Sequence, residues 1–319
     1  MRSEAGKRVL ERLKGPVATI IVPFNKDYSV DHGALRDWVD FLTIQGVPVF
    51  ILTYGSSELF NLDEEEILAI NRTIVEANRG RALFISGTGY WWEDRCVRFI
   101  REACEQGADG AFLHVNHQLG SVGDDLFNFY RRVAEKTEQV LLAHTIGGPG
   151  LNAEMVRRIS EIENMVGMKN DGDQFYDYYD YIRAGGKDFA VISGGQMRNF
   201  LFGYQIGSPA YLCPLVTTAP QVSLAFYRHL VEGRWEAARQ IMFELEEVIL
   251  HAARALGWHP MIKSALHLTG HFPTGLRRPP CASLQPVHEA QVREMLEKLN
   301  RRAAAWGLEG PLRGKDRSI

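Results

Sequence analysis

The stretch Met165-Val166-Gly167-Met168-Lys169-Asn170 is a short apolar run that closes on a lysine and an asparagine. Residues 153–163 before it carry apolar side chains at helical spacing, and Asp171-Gly172-Asp173 after it is typical of a turn. This order predicts a buried strand with Lys169 at its C-terminal end. Burial disfavours the ammonium form of a lysine, and a neutral amine is the form that attacks a carbonyl carbon to make a Schiff base. The alternative is a strand-end lysine whose amine extends to solvent.

Seven further apolar runs resemble this one, and consecutive runs start roughly 20 to 35 residues apart, the length of a βα unit. Amphipathic segments lie between them, including those that begin at Asp31, Asp63 and Asp124. Eight strands that alternate with helices predict an α/β protein with a (β/α)8 TIM barrel over residues 15–222. A doubly wound sheet is the alternative, but the glycine-rich phosphate turn after its first strand is missing. The runs are 17–22, 49–53, 82–86, 110–115, 140–144, 165–169, 189–193 and 210–215.

Beyond the last apolar run the pattern becomes helical. We expect helices over residues 223–256, 261–268 and 289–305. Together they predict a C-terminal helical region over residues 223–306 that packs on the barrel.

Composition places the chain in an ordinary globular class. Of its 319 residues, 45% are hydrophobic and 24% are charged, and the net charge of −3 gives no reason to expect nucleic acid or a membrane surface as a partner. No apolar run approaches the roughly 20 residues of a bilayer span, and the N-terminus lacks the apolar core of a signal peptide. Four cysteines without a CxxC pair predict reduced thiols and a cytoplasmic protein.

In such a barrel the active site lies at the C-terminal ends of the strands. The turn Gly55-Ser56-Ser57 follows the second strand, and its amides and hydroxyls suit a small carboxylate; the alternative is an ordinary turn with a serine as helix cap. Glu58 is expected to be solvated or to lie in the first helical turn. Trp91 and Trp92 follow the third strand, and we expect them at a protein interface.

Three histidines near strand ends raise the alternative of a zinc site. They are His114, His117 and His144. No HxH or HxxxE spacing supports metal binding, and strand alternation places His114 and His117 on different faces. We therefore predict neither a metal nor a bound cofactor.

Taken together, these motifs resemble the dihydrodipicolinate synthase / N-acetylneuraminate lyase family of class I pyruvate-dependent aldolases, from about residue 15 to residue 299. Val166-Gly167-Met168-Lys169 resembles the segment with the Schiff-base lysine, and Gly55-Ser56-Ser57-Glu58 resembles the carboxylate-binding turn. Gly87-Thr88-Gly89 and Ile192-Ser193-Gly194 are similar to the third and seventh strand ends, and the series from Pro260 to Pro280 is similar to the C-terminal region. The resemblance implies a Schiff base at Lys169. We also predict substrate contacts from Gly55, Ser56, Ser57, Ser193, Gly194 and Cys213.

The family's proton relay is altered in this sequence. Ala143 aligns with the tyrosine of strand five, and Gln118 aligns with the tyrosine that strand four supplies to the neighbouring subunit. We predict His144 as the replacement acid–base group, with His117 as the second candidate, because an imidazole titrates near neutral pH. An alternative role for His144 is a polar core residue bonded across the barrel mouth. Gln118 remains a predicted substrate contact.

The distal end of the site is also altered. The synthase branch carries an arginine for the distal carboxylate of its substrate, and the corresponding loop Gly147-Gly148-Pro149-Gly150 contains none. A true dihydrodipicolinate synthase is therefore not expected.

These observations predict a class I lyase that acts on a 2-oxo acid, either of the pyruvate type or a 2-keto-3-deoxy sugar acid. Aldol cleavage and dehydration share an iminium intermediate, so both remain open. The alternative is a non-catalytic barrel that only binds a small oxo acid or sugar acid. Because the family commonly forms tetramers built from tight dimers, the resemblance also implies a homo-oligomer, at least a dimer.

Overall fold

A computed structural model of the chain describes residues 2–115, 124–145, 151–171 and 175–311. In these ranges the apolar runs form eight parallel strands, which pair in sequential order and close into a barrel when β8 pairs with β1. The predicted (β/α)8 barrel is confirmed. The strands are β1 Gly15–Thr19, β2 Val49–Ile51, β3 Leu83–Gly87, β4 Gly110–Leu113, β5 Leu141–Thr145, β6 Met165–Asn170, β7 Ala190–Ser193 and β8 Ala210–Leu212.

Strand alternation divides the apolar side chains into two layers. One layer fills the barrel interior and includes Ile51, Ile85, Phe112 and Leu142, all fully buried. The neighbouring residues along each strand face the helices and form the larger outer core. An inward position at the C-terminal end of a strand therefore faces the mouth of the barrel, where the chemistry is expected.

Helices begin and end where the sequence carries capping residues. The Asp31 side chain accepts from the amide of Ala34, and Asp63 and Glu66 form a reciprocal capping box. The helices are α1 Glu4–Arg12, α2 His32–Ile44, α3 Glu64–Asn78, α4 Glu93–Glu105, α5 Asp124–Glu135, α6 Ala153–Ser160, α7 Phe175–Gly185, α8 Gln196–Gly203, α9 Pro214–Thr218, α10 Pro220–Val231, α11 Trp235–Ile241, α12 Glu247–Leu256, α13 Trp258–Leu268 and α14 Glu289–Ala305.

Two details of the C-terminal region differ from the expectation of one continuous helix over residues 223–256. Gly233 adopts a φ of 72° and separates α10 from α11, because a left-handed backbone cannot continue an α-helix. A π-helical segment, Met242–Glu246, then joins α11 to α12. Helix α10 packs against β1, and the predicted domain boundary between residues 222 and 223 falls inside this helix.

In the described parts of the chain, no helix combines the length and the apolar character that a membrane crossing needs. All four cysteines are free of disulfide bonds.

Candidate active site

A cavity of about 590 Å³ opens at the C-terminal ends of the strands. Its lining contains predicted site residues from four different strand ends. The predicted residues are Ser56, Lys169, Gly194 and Cys213. Asp171 and His259 also line the cavity and were not predicted. Ser57 and Ser193, also predicted to contact substrate, are buried outside this lining.

Lys169 lies at the penultimate position of β6, as predicted, and its side chain is buried. The register pairs Lys169 with His144 on β5. The Lys169 Nζ lies 3.1 Å from Nε2 of His144, and it also donates to Oδ2 of Asp171. The same His144 nitrogen lies 2.7 Å from that carboxylate oxygen. The three side chains therefore form a closed triangle of hydrogen-bonding groups.

This triangle suits proton transfer, because one of its two protonation states satisfies more of the contacts. In the first state Lys169 is an ammonium group that donates to both partners and His144 accepts through Nε2, which leaves the 2.7 Å contact between Nε2 and the Asp171 oxygen without a hydrogen. In the other state the proton has moved to His144, which donates from Nε2 to Asp171 while Lys169 is a free base. The Asp171 oxygen contacts the charged partner in both states. The lysine can therefore lose the proton that blocks its attack on a carbonyl group.

Asp171 was predicted only as a turn residue, so its role in the site was missed. Burial by itself would raise the pKa of Asp171, but the Lys169 charge and the hydrogen bonds from His144 and Lys169 hold that pKa well below its usual range. A side chain at position 194 would displace this carboxylate, because a Cβ there would lie 1.9 Å from Asp171 Oδ1. Gly194 thus contributes by leaving room for Asp171.

The alignment of Ala143 with the family's tyrosine does not identify the residue that faces the lysine. Ala143 packs in the outer core, between the strands and the helices. His144 is the residue of β5 paired with Lys169, and the two side chains meet at the mouth of the barrel. The position that faces the lysine from β5 therefore carries an imidazole.

His114 also reaches this region, since it lies two residues beyond the inward-facing Phe112. Its ring centre is 4.9 Å from that of His144, and its Nδ1 bonds the carbonyl of Thr88 at 2.7 Å. Burial holds the pKa of His114 well below its usual range, and the neighbouring His144 adds to the effect. A neutral His114 packs behind His144 and supports the orientation of its ring.

The turn Gly55-Ser56-Ser57 presents one of its two hydroxyls to the cavity. Ser57 is fully buried, and its Oγ accepts from the amide of Thr53 at 3.0 Å. Ser56 lines the cavity, and its Oγ lies 3.3 Å from Nε2 of His259 on α13. Ser56 is therefore the hydroxyl that can contact a ligand, while Ser57 holds the shape of the turn.

The expectation for Glu58 was wrong. Its side chain is buried, its backbone adopts a left-handed φ of 55°, and its Oε1 lies 2.7 Å from Lys263 Nζ and 3.4 Å from Arg277 Nε. Burial lowers the pKa of Lys263 to about 8, although the contact with Glu58 opposes this effect. Two cations share one carboxylate, so the cluster behind the turn carries a net positive charge near neutral pH. No local sequence pattern could show this, because the partners lie about 200 residues away.

A second buried carboxylate lies behind the part of the cavity wall that contains Arg198 and Cys213. Glu246, in the π-helical segment, accepts from the amide of Met197 at 2.7 Å and from the thiol of Cys213 at 3.4 Å. Burial raises the pKa of Glu246 to about 7. Arg198 lines the cavity nearby, and its guanidinium group pairs with Glu247 and, at 3.7 Å, with Glu246. These carboxylates neutralise the arginine at the rim.

The two tryptophans expected at an interface differ in exposure. Trp91 is half-buried and packs edge-to-face on Phe99, with Arg95 stacked over its ring. Trp92 is 64% exposed at the start of α4. Only Trp92 therefore keeps the exposure that the interface prediction requires.

Several predicted residues lie outside the described part of the chain. They are His117, Gln118 and the loop 147–150, and their roles stay predictions. Among the residues that the structure describes, no group of three or more His, Cys, Asp or Glu side chains is arranged to hold a metal ion.

Comparison with known proteins identifies the family. The model of the dihydrodipicolinate synthetase family matches residues 12–299. The chain belongs to this family. Its members are class I aldolases and dehydratases that bind pyruvate-type substrates, so the chain is a lyase of this family.

The relatives carry more than one activity in their names. A probable 5-dehydro-4-deoxyglucarate dehydratase 2 of Streptomyces avermitilis is 28% identical over 301 residues, covering 90% of this chain and 89% of that protein. A 4-hydroxy-tetrahydrodipicolinate synthase of Laribacter hongkongensis is 26% identical over 292 residues, covering 90% of this chain and 99% of that protein. The crystal structure of dihydrodipicolinate synthase from Oceanobacillus iheyensis superposes with a TM-score of 0.84 at 23% identity, covering 93% of this chain and all of that one, which shows the shared fold.

Proposed function

We propose that this lyase forms a Schiff base between Lys169 and the ketone of a 2-oxo acid. The observation that supports this most directly is the 3.1 Å contact between Lys169 Nζ and His144 Nε2 beside the cavity. A buried lysine next to a proton acceptor can become the free amine without leaving its site. The contact of both groups with Asp171 keeps that amine in one place while the proton moves.

The reaction begins when the Lys169 nitrogen forms a bond to the ketone carbon, and the ketone oxygen takes up the proton that this nitrogen loses. Loss of that oxygen as water leaves a C=N bond, which is a protonated iminium ion. His144 first accepts the proton that Lys169 releases and then returns it to the departing oxygen. The first transfer takes place over the 3.1 Å between Lys169 Nζ and His144 Nε2, which meets the geometric requirement for general acid–base catalysis.

The iminium ion withdraws electrons from the neighbouring carbon, C3 of the 2-oxo acid. Either a C3–H bond or the C3–C4 bond then breaks, and its electron pair moves into an enamine. In aldol cleavage the C4 hydroxyl gives up its proton as the C3–C4 bond breaks, and the enamine then takes up a proton at C3. In dehydration C3 loses a proton, and the C4 hydroxyl takes up a proton and leaves as water. Hydrolysis of the C=N bond then releases the product and restores the Lys169 amine. We assign the proton transfer at C3 to His144. His117 is the second candidate.

The substrate class that we propose is a pyruvate-type 2-oxo acid or a 2-keto-3-deoxy sugar acid, with its carboxylate at Gly55-Ser56-Ser57. The name of the relative from Streptomyces describes the dehydration of a deoxy oxo sugar acid, which supports the second option. A glucarate also has a distal carboxylate, and we expect the substrate of this chain to differ at that end. Gly194 and Cys213 line the cavity beyond Lys169, where the rest of such a substrate would lie.

A barrel that only binds an oxo acid is the competing function. The missing relay tyrosines favour it, but the paired Lys169 and His144 argue against it, because a binding protein has no need to bury an amine beside a proton acceptor.

Reductive trapping tests the proposed function. Incubation with pyruvate and borohydride should add one reduced pyruvyl group to the peptide that contains Lys169, and Lys169→Ala should remove the adduct. Lys263 is an internal control, since it is an equally buried lysine held by Glu58 rather than by a histidine, and it should stay unlabelled. Labelling at Lys263, or no labelling with any of a panel of 2-oxo acids, would contradict the proposal.

Exchange of the pyruvate methyl protons, followed by NMR, then separates an enzyme that turns over from one that only traps the ketone.

A further inference from the structure

Helix α13 reaches the carboxylate turn from the C-terminal helical region. His259 and Lys263 are four residues apart and thus lie on one face of this helix. His259 contacts Ser56, and Lys263 contacts Glu58, so two successive contacts join this face to the turn. The Lys263–Glu58 pair is almost completely buried and fixes the helix in place, whereas His259 is only partly buried and lines the cavity.

The His259 ring lies where it can contact a ligand in the cavity. Its Nε2 lies 3.3 Å from the Ser56 hydroxyl, and a Cβ at Gly55 would lie 3.7 Å from the same nitrogen. A hydroxyl and an imidazole nitrogen therefore meet beside the glycine of the turn, within the same cavity as Lys169. Together they can supply two hydrogen bonds to a carboxylate, which has about four acceptor positions.

Charge near this pair also favours an anion. Behind the turn, Lys263 and Arg277 share the single carboxylate of Glu58 and leave one excess positive charge. The two cations that line the cavity itself are compensated, since Lys169 contacts Asp171 and Arg198 contacts two glutamates. Of the charged side chains named here at and directly behind the cavity, the excess positive charge thus belongs to the cluster behind Ser56 and His259.

We propose that His259 is a substrate-binding residue, and that it hydrogen-bonds the carboxylate of the 2-oxo acid together with Ser56. This assignment rests on the proposed function for the identity of the ligand. It gives the C-terminal helical region a direct part in recognition, because helix α13 lies outside the strand ends and still completes the carboxylate site. Selection of a 2-oxo acid over a plain ketone then depends on α13 as well as on the barrel.

The test separates carboxylate binding from Schiff-base formation. Pyruvate and hydroxyacetone serve as probes, since both are small ketones and only pyruvate has a carboxylate. Binding is measured in full-length Lys169→Ala by NMR of 13C-labelled histidine, with the His259 signal assigned through His259→Leu. Pyruvate should shift this signal, hydroxyacetone should not, and His259→Leu should weaken pyruvate binding by tenfold or more. His267→Asn, which changes a histidine of the same helix that bonds the carbonyl of Phe272, should bind pyruvate normally.

Three results would overturn the role of His259. They are an unchanged His259 signal with pyruvate, pyruvate binding within twofold of normal in His259→Leu, and an equal loss of both ketones in trapping experiments on His259→Leu with Lys169 intact. The last result would mean that His259 only maintains the turn. If wild-type protein gives no adduct at Lys169 while pyruvate still shifts the His259 signal, the Schiff-base function is wrong and the carboxylate site is retained.

Discussion

Lys169 Nζ lies 3.1 Å from His144 Nε2, although 25 residues separate the two in the chain. If His144 carries the protons, His144→Gln should lower turnover and methyl-proton exchange by about 10²- to 10⁴-fold, the usual contribution of a general acid–base group. The adduct at Lys169 should still be trapped after long incubation, because the amine remains. His32→Gln, which changes a part-buried histidine bonded to Thr73 in another part of the barrel, is the control. Exchange within threefold of wild type in His144→Gln would assign the proton transfer to another group.

The buried cluster behind the turn should respond unequally to the loss of its members. Glu58→Gln leaves Lys263 and Arg277 buried without a counter-charge, so it should cost about 3–5 kcal/mol of unfolding free energy. Lys263→Met leaves Glu58 paired with Arg277 and should cost less. The double variant should be more stable than the sum of the two single losses implies, because the residues contact each other. Denaturant unfolding measures all three variants, and equal, additive losses would contradict the shared carboxylate.

Glu246 should make stability depend on pH. Its pKa is raised to about 7 in the folded protein, so the folded state binds this proton more tightly than the unfolded state does. The resulting stabilisation is complete below the ordinary glutamate pKa and is lost as the pH rises through 7, by about 3 kcal/mol at most. Glu246→Gln should remove this dependence and be the more stable protein at pH 8. Glu247→Gln alters a 40% exposed carboxylate and should keep the wild-type profile.

We predict that the second substrate is uncharged. In the cleavage direction, the same holds for the fragment that leaves the 2-oxo acid. The loop 147–150 contains no arginine or lysine, and Arg198 is paired with Glu246 and Glu247. A distal carboxylate in the cavity would therefore lack a partner, which costs several kcal/mol. Competition between aspartate semialdehyde and neutral aldehydes, with pyruvate present, measures this. A tenfold preference for the semialdehyde, about 1.4 kcal/mol in the transition state, would refute the prediction. Glu247→Gln, which releases Arg198 from one partner, should shift the preference toward the charged aldehyde.

Assembly is predicted from Trp92, whose side chain is 64% exposed. Large exposed aromatic side chains are enriched at protein interfaces, so we expect at least a dimer. Sedimentation at micromolar concentration should show an oligomer, and Trp92→Ser should weaken it by tenfold or more. Val287→Ser, at another exposed apolar residue, is the control. A monomer in the wild-type protein would contradict the prediction.

Sequence by itself determined the barrel and the position of its lysine. Both follow from local regularities: apolar runs at βα spacing, capping residues such as Asp31 and Asp63, and a lysine at the end of a buried run. His144 was also predicted to lie at the barrel mouth, because strand ends converge at one mouth in a barrel. These inferences rest on local sequence patterns and on the rule that the C-terminal ends of the strands meet at one mouth of the barrel.

Tertiary structure decided which polar groups meet. Asp171 looked like a turn residue and Glu58 like a solvated one. Lys169 is only two residues from Asp171, but His144, the partner that closes the triangle, is 27 residues away, and the partner of Glu58 is farther still. Ser56 and His259 are 203 residues apart, and Glu58 and Lys263 are 205 apart. Such pairs form because closure of the barrel and packing of α13 bring them together, and the cost of burying a charge then selects the partners. Periodicity carries no record of those long-range contacts, so the lysine could be found from the sequence and its surroundings only from the fold.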